Sequence, residues 1–314
     1  MCLQGTGRGK TMREDTAATP ADFFEDLKSR AQAAADAGRL EEAGRIMVEA
    51  LDWAKEQGDQ NQIDSAVCAT AAVKIQLGQG EAELPVLREI LLRSGDPANC
   101  RLAAYHISLH YDLKKNFKKS LFYARIARDR AAVHGRADFL ALSYNQIGNA
   151  LLGESFIEEA AQAYEQALEL MARRGNHWLA IVQSNLGYCR ILQRRFDEGY
   201  RLLYRAIRSL RWLRQPRYEA IARLDLCFAH LETGRFQQAR RHGEIALRFG
   251  ERSGDVDTMK NALYLLGETA GLSGDRGAAH AHFARLQKEF FPDASYLPAF
   301  LLTVDVRKMI NLHA

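Results

Sequence analysis

Apolar residues recur three and four positions apart along almost the whole chain, and no stretch alternates in the two-residue rhythm of a strand. The pattern predicts helix, turn, helix, turn from residue 21 onward, with one representative pair over 137–153 and 156–174. Between pairs stand glycines able to take a positive φ, each followed by a side chain that caps the next helix: Gly58-Asp59, Gly95-Asp96, Gly175-Asn176 and Gly254-Asp255. Gly38, Gly78, Gly234 and Gly274 mark the shorter turns inside pairs. Pro97 opens a helix at the position where its missing N–H costs nothing. The expectation is an all-α chain.

The helix pairs are copies of one unit. Ala43, Glu83, Ser120, Ala160, Gly199, Ala239 and Ala279 follow one another at steps of 37 to 40 residues, and all but Glu83 are small. A second series stands seven positions later: Ala50, Ile90, Ala127, Ala167, Ala206, Ala246 and Leu286. Antiparallel helices approach to about 8–10 Å only where one side is small, which explains a small residue at each crossing. Gly148, Gly187 and Gly267 play that part on the first helices, and Phe117, Ile157, Phe196 and Phe236 are placed to fill the adjacent gap. Such self-similarity means units stacked in single file instead of one globular core.

The fourth unit carries the pattern most fully, in Ile147-Gly148, Leu151, Ala160, Tyr164 and Ala167. In these positions it resembles the tetratricopeptide repeat, with a period of about forty residues instead of the usual 34. The fifth unit (Leu186-Gly187, Gly199, Leu203, Ala206) and the seventh (Leu266-Gly267, Gly274, Ala279, Phe283) look similar. The third and sixth match more loosely, with Ser108 and Cys227 at the glycine position, and the second is degenerate, with Glu83 and Pro85. The resemblance implies a right-handed α-solenoid of about seven units, near 21–58, 61–95, 98–135, 137–175, 177–214, 217–254 and 256–291. A capping helix is expected within 294–314, after Pro292, with Leu297, Phe300, Leu301, Val304 and Ile310 covering the last unit.

Composition adds compartment and charge. Residues 1–20, rich in Gly, Thr and Ala, read as a disordered leader, and Met12 offers a second translation start. The run Gly5-Thr6-Gly7-Arg8-Gly9-Lys10-Thr11 has Gln4 where a phosphate-binding loop needs its first glycine, and no strand precedes it. Five scattered cysteines and the absence of a signal-type apolar stretch point to a reducing, cytoplasmic setting without membrane insertion. Net charge is +4, but residues 20–97 carry eight Lys and Arg against fifteen Asp and Glu, whereas 190–252 carry fifteen Arg against seven. A rod so polarised could attract an acidic partner or associate head to tail as a homo-oligomer.

No catalytic pattern emerges, so the chain is expected to be no enzyme and to need no cofactor. His106 and His110 share a helix face, yet zinc would require further ligands and no HExxH carboxylate lies between them. Arg201, Arg205 and Arg208, with Arg194 nearby, form a basic ridge on one helix, although no DNA-reading element accompanies it and nucleic acid is not the expected partner.

What remains is the inner face that the resemblance assigns to the first helix of each unit. By register it presents Tyr105 and Leu109; Leu142, Asn145, Asn149 and Leu152; Ile181, Ser184, Tyr188 and Ile191; Ile221, Leu224, Phe228 and Leu231; and Asn261, Tyr264 and Glu268. An exposed apolar and aromatic stripe of this extent marks an interaction site, with amides free to bond a ligand backbone. The alternative is that lengthened helices close the groove and these side chains pack on one another. Asn149 and Asn185 match two positions of the carboxylate clamp of chaperone adaptors, but Asn145, Ile221 and Asp225 replace the cations. The expected function is therefore a bacterial-type adaptor that binds a peptide or helix of a partner protein in this groove. A receptor for a small signalling peptide and a self-assembling structural rod are the alternatives.

Overall fold

The computed structural model describes residues 20–36, 39–171, 177–307 and 311–313, with the side chains of 20–22 and 36 excepted. The expected leader, apart from Pro20, lies outside these residues, as do Gly38 and the Gly175-Asn176 pair. Fourteen helices pair off as α1 (Pro20–Asp36) with α2 (Leu40–Gln57), α3 (Gln60–Gln76) with α4 (Leu84–Arg93), and α5 (Pro97–Leu113) with α6 (Phe117–His134). The series continues with α7 (Ala137–Gly153) and α8 (Ile157–Met171), α9 (His177–Leu192) and α10 (Phe196–Trp212), α11 (Pro216–Glu232) and α12 (Phe236–Ser253), and α13 (Val256–Leu272) and α14 (Arg276–Phe290). A short helix, α15 (Leu297–Thr303), follows. Each helix packs on the next in sequence, and α5, α7, α9, α11 and α13 also touch one another from unit to unit, which makes them the inner layer of an α-solenoid.

The crossings work as the small-residue series requires. A Cβ added at Gly148 would lie 2.5 Å from the ring of Tyr164, and one at Gly267 would overlap the ring of Phe283. Ser108 replaces glycine by donating its hydroxyl to the carbonyl of Ser120 at 2.8 Å, so two small polar residues still close the crossing. In the sixth unit the glycine has moved to the other helix, where Gly243 faces Cys227. The second unit departs furthest. A 3-10 turn over Gly80–Glu83 precedes a ten-residue α4 with Pro85 at its start, and Gly80 is pressed between Ile75 and His110.

Turn geometry is conserved where turn chemistry is not. Gly78, Gly234 and Gly274 take positive φ two residues past the end of α3, α11 and α13. At the same place Lys115, Ser155 and Arg194 adopt φ of 56°, 63° and 62°, although a Cβ there costs energy. The stacking of the two helices fixes the turn and overrides the residue's own preference.

Two features of the C-terminal region differ from the expected cap. The helix ends at Thr303, and Val304–Val306 leaves it in a non-helical path. Val306 and Leu312 are nonetheless buried and belong to the apolar cluster that runs from Ala124 through the later units. Two smaller clusters, spanning Phe24–Val73 and Cys68–Tyr111, serve the first three units. The terminal segment therefore covers the inner face and not only the last unit, because tertiary burial outweighs the weak helical tendency of its β-branched residues.

Two opposite shifts in stability follow. Gly148→Ala should lose about 1–3 kcal/mol by overpacking against Tyr164, whereas Ser155→Gly should gain roughly 0.5–1 kcal/mol by relieving a left-handed Cβ. Chemical denaturation of both variants beside the parent chain measures the two effects.

Candidate functional site

The site is a trough along α7, α9, α11 and α13, with the terminal segment of the chain lying in it. The main chain of Leu312 is held on both sides: its N–H donates to the Tyr188 hydroxyl at 3.2 Å, and its carbonyl accepts from Asn261 Nδ2 at 3.1 Å. Asn311 Nδ2 donates to the Leu152 carbonyl at 2.7 Å, which also accepts the Ser155 N–H of the turn after α7 at 2.9 Å. The His313 ring lies flat on Tyr188, with centroids 4.4 Å apart and planes 16° off parallel, and its Nε2 meets Asp225 Oδ1 at 2.8 Å. Upstream, the Arg307 guanidinium reaches Glu232 at 3.4 Å and Glu268 at 3.7 Å while bonding Asp305 at 2.6 Å.

Repetition aligns the polar groups beneath. Asn185 and Asp225 stand one unit apart, as do Tyr188, Phe228 and Glu268. Asn185 Nδ2 donates to Asn145 Oδ1 at 3.1 Å and Asn149 Oδ1 at 3.2 Å, and the latter oxygen also takes the Tyr164 hydroxyl at 2.9 Å. Ser184 Oγ approaches Asp225 Oδ2 at 3.4 Å. The amides expected to await a ligand are thus engaged with one another, in a network that holds the trough floor rigid.

The expected exposed stripe is buried. Asn145, Ser184, Tyr188, Leu224, Phe228, Tyr264 and Glu268 are all buried; Asn149, Asn261, Leu142, Leu109 and Tyr105 are half-buried. The structure brings Asn145, Asn149, Ser184, Tyr188, Asn261 and Glu268 into the network or onto the terminal segment, and Phe228 packs edge-on to Tyr188 at 6.1 Å. Ile191 instead fills the crossing at Gly199, inside its own unit. Tyr264 leans on Phe283 of α14, with its buried hydroxyl unpartnered. Leu142 and Leu109 pack on the neighbouring apolar clusters, while Tyr105 sits edge-on to His106. Of the basic ridge, Arg201, Arg205 and Arg208 are exposed along α10, but Arg194 turns away to pair with Glu232 at 2.8 Å.

Sequence reasoning passed over Asp225, Asp112 and the terminal residues Asn311–His313. Asp225 was visible only as the wrong charge in a clamp, and its 40-residue offset from Asn185 was the signal that could have placed it. Asp112, on α5, lines a cavity of about 180 Å³ with Asn149, Tyr164, Ser184, Asn185, Tyr218 and His313. Its buried Oδ1 has no hydrogen-bond partner, and burial pushes the carboxyl from 3.8 up to about 6 against the pull of Lys115. Burial likewise raises Glu268 to about 7, offset in part by Arg307. Cys68, Cys189 and Cys227 are buried free thiols pushed up to about 12, so they serve packing and not nucleophilic chemistry. His110 meets Glu81 at 3.0 Å, while burial drives His106 down to about 3. Among the described residues no three His, Cys, Asp or Glu side chains gather into a metal-binding group, and no helix is long and apolar enough to cross a membrane.

These features define a tetratricopeptide-type α-solenoid. No family model matches the sequence, and no curated protein matches it. Solved structures do. The quorum sensor NprR from B. thuringiensis, without ligand, superposes with a TM-score of 0.66 at 17% identity, covering 89% of this chain and 81% of that one. A Rap protein complexed with Competence and Sporulation Factor gives 0.65 at 13% identity, over 86% and 75%. BtubC from P. vanneervenii gives 0.55 at 19% identity, over 69% and 92%. At these identities the likeness concerns the fold.

Asp112 makes stability depend on pH. A carboxyl whose folded pKa exceeds its unfolded value, about 3.9, binds more protons when folded, so the fold weakens as pH rises from about 4 to about 6. Asp112→Asn should flatten that decline and unfold at a higher temperature than the parent at pH 8. Thermal unfolding at pH 4 and pH 8 reads both outcomes.

Proposed function

We propose that this protein is a non-enzymatic adaptor that binds a peptide segment or helix of a partner protein along the inner faces of α7, α9, α11 and α13. One observation carries the reading: groove side chains grip both the N–H and the C=O of one residue, Leu312, at 3.2 and 3.1 Å. Contacts of this kind recognise polypeptide main chain whatever its sequence, while neighbouring pockets select side chains. An aromatic floor of Tyr188 and Phe228 supplies affinity, as buried aromatic anchors do at protein interfaces. The preformed amide network lowers the cost of ordering the site when a ligand arrives.

A structural neighbour, NprR, has been solved in complex with its cognate peptide NprX, at a TM-score of 0.65 and 16% identity over 89% of this chain and 83% of that one. That precedent favours a second reading, a receptor for a short signalling peptide, which would use the same trough. The two readings differ in ligand: a free short peptide, or a segment tethered to a folded partner. The buried free thiols support placement of the protein in a reducing compartment.

Selection from a library of random displayed peptides tests the proposal. The chain should enrich peptides that bind at least tenfold more weakly to an Asn261→Ala, Asp225→Asn variant of unchanged helix content. Failure to enrich any peptide, or equal binding to the variant, refutes the groove as the binding site.

A further inference from the structure

The terminal segment is chemically matched to the trough in ways that simple covering does not require. Asp225 has a fully buried carboxylate, and among the described residues the other side chain within hydrogen-bond distance of it is Ser184, at 3.4 Å. A buried carboxylate is costly unless a donor or cation meets it. That donor comes from His313, at 2.8 Å, 88 residues further along the chain. The same imidazole is stacked on Tyr188, so one ring satisfies both the charge and the aromatic face. Leu312 occupies an apolar position beside it and lends its main chain to Tyr188 and Asn261.

We infer that residues 304–307 and 311–313 act as an intramolecular ligand of the groove, and that the partner segment displacing them is a peptide presenting an aliphatic residue followed directly by histidine. The inference rests on the peptide-binding reading given above and adds the ligand's chemistry and its built-in competitor. Release requires no helix to melt: α15 ends at Thr303, and the described residues beyond it are held by the buried Val306 and Leu312, by His313 and Asn311, and by the partly exposed Arg307. A tethered segment acts at an effective concentration in the millimolar range. An external peptide making the same contacts must therefore bind the intact chain more weakly than a chain whose tail has been released.

The probe is a fluorescein-labelled peptide of the chain's own sequence 304–313, read by fluorescence anisotropy against the full-length protein. A Leu312→Asp, His313→Ala variant should bind the probe at least tenfold more tightly than the parent does, and adding Asp225→Asn should reverse the gain. A control probe with alanine in place of its leucine and histidine should not bind. Equal probe binding by parent and released variant, or no binding by a released variant of full helix content, overturns the inference. In the unaltered chain, the Leu312 amide should exchange hydrogen at least tenfold more slowly than in the free peptide; exchange at the free-peptide rate also overturns it. If library peptides bind the groove while the tail probe does not, the tail inference fails and the adaptor reading stands. If the tail probe binds and no library peptide does, the trough is a closed internal clasp and the adaptor reading fails.

Discussion

The close approach of two antiparallel helices at a residue too small to hold them apart governs this molecule. Where Gly148 faces Tyr164 and Gly267 faces Phe283, the space left by one absent Cβ is filled by a ring. Each such crossing fixes how the two helices of a unit sit on each other, and its repetition every forty residues or so gives the stack units of one shape. Alternative solutions preserve the distance: a hydroxyl-to-carbonyl bond at Ser108, or a glycine moved to the facing helix at Gly243. The constraint is on separation, and several residue pairs satisfy it.

A regular stack has a chemical consequence on its inner side. Residues one unit apart come into line, so Asn145, Asn149 and Asn185 bond one another, and Tyr188 meets Phe228. Burial then makes every polar group in that line a matter of free energy, since an unsatisfied one costs about 1–3 kcal/mol and a charge more. Asp225 meets this demand through His313, and Glu232 through Arg194 and Arg307. Asp112 Oδ1 and the Tyr264 hydroxyl do not meet it. Asp112 lines the cavity beside His313.

The trough is thus neither the open stripe nor the self-packed helices that periodicity left as alternatives. Its walls are preformed, and residues 304–307 and 311–313 of the protein's own chain lie between them. Occupancy of this kind ties function to competition: any ligand must match both the main-chain grip and the Asp225 carboxylate better than a segment already at hand. The exposed arginines of α10, by contrast, lie on the outer layer and make no contribution to the trough.

By itself the sequence determined what depends on neighbours a few residues away or on a fixed repeat. It settled the all-α class, the unit length, the capping side chains Asp59, Asp96 and Asp255, and the small residues at the crossings, because helix periodicity and turn chemistry are local. It named Tyr188, Asn145, Asn149 and Asn261 as inward-facing for the same reason. It misplaced Ile191, whose side chain fills the crossing inside its own unit, and it grouped Arg194 with the ridge although that turn residue pairs with Glu232. Only the tertiary structure decided where residues 304–307 and 311–313 lie. Their longer-range contacts reach partners 39 to 159 positions away, and no periodicity in so short a segment records which distant carboxylate or hydroxyl it will meet.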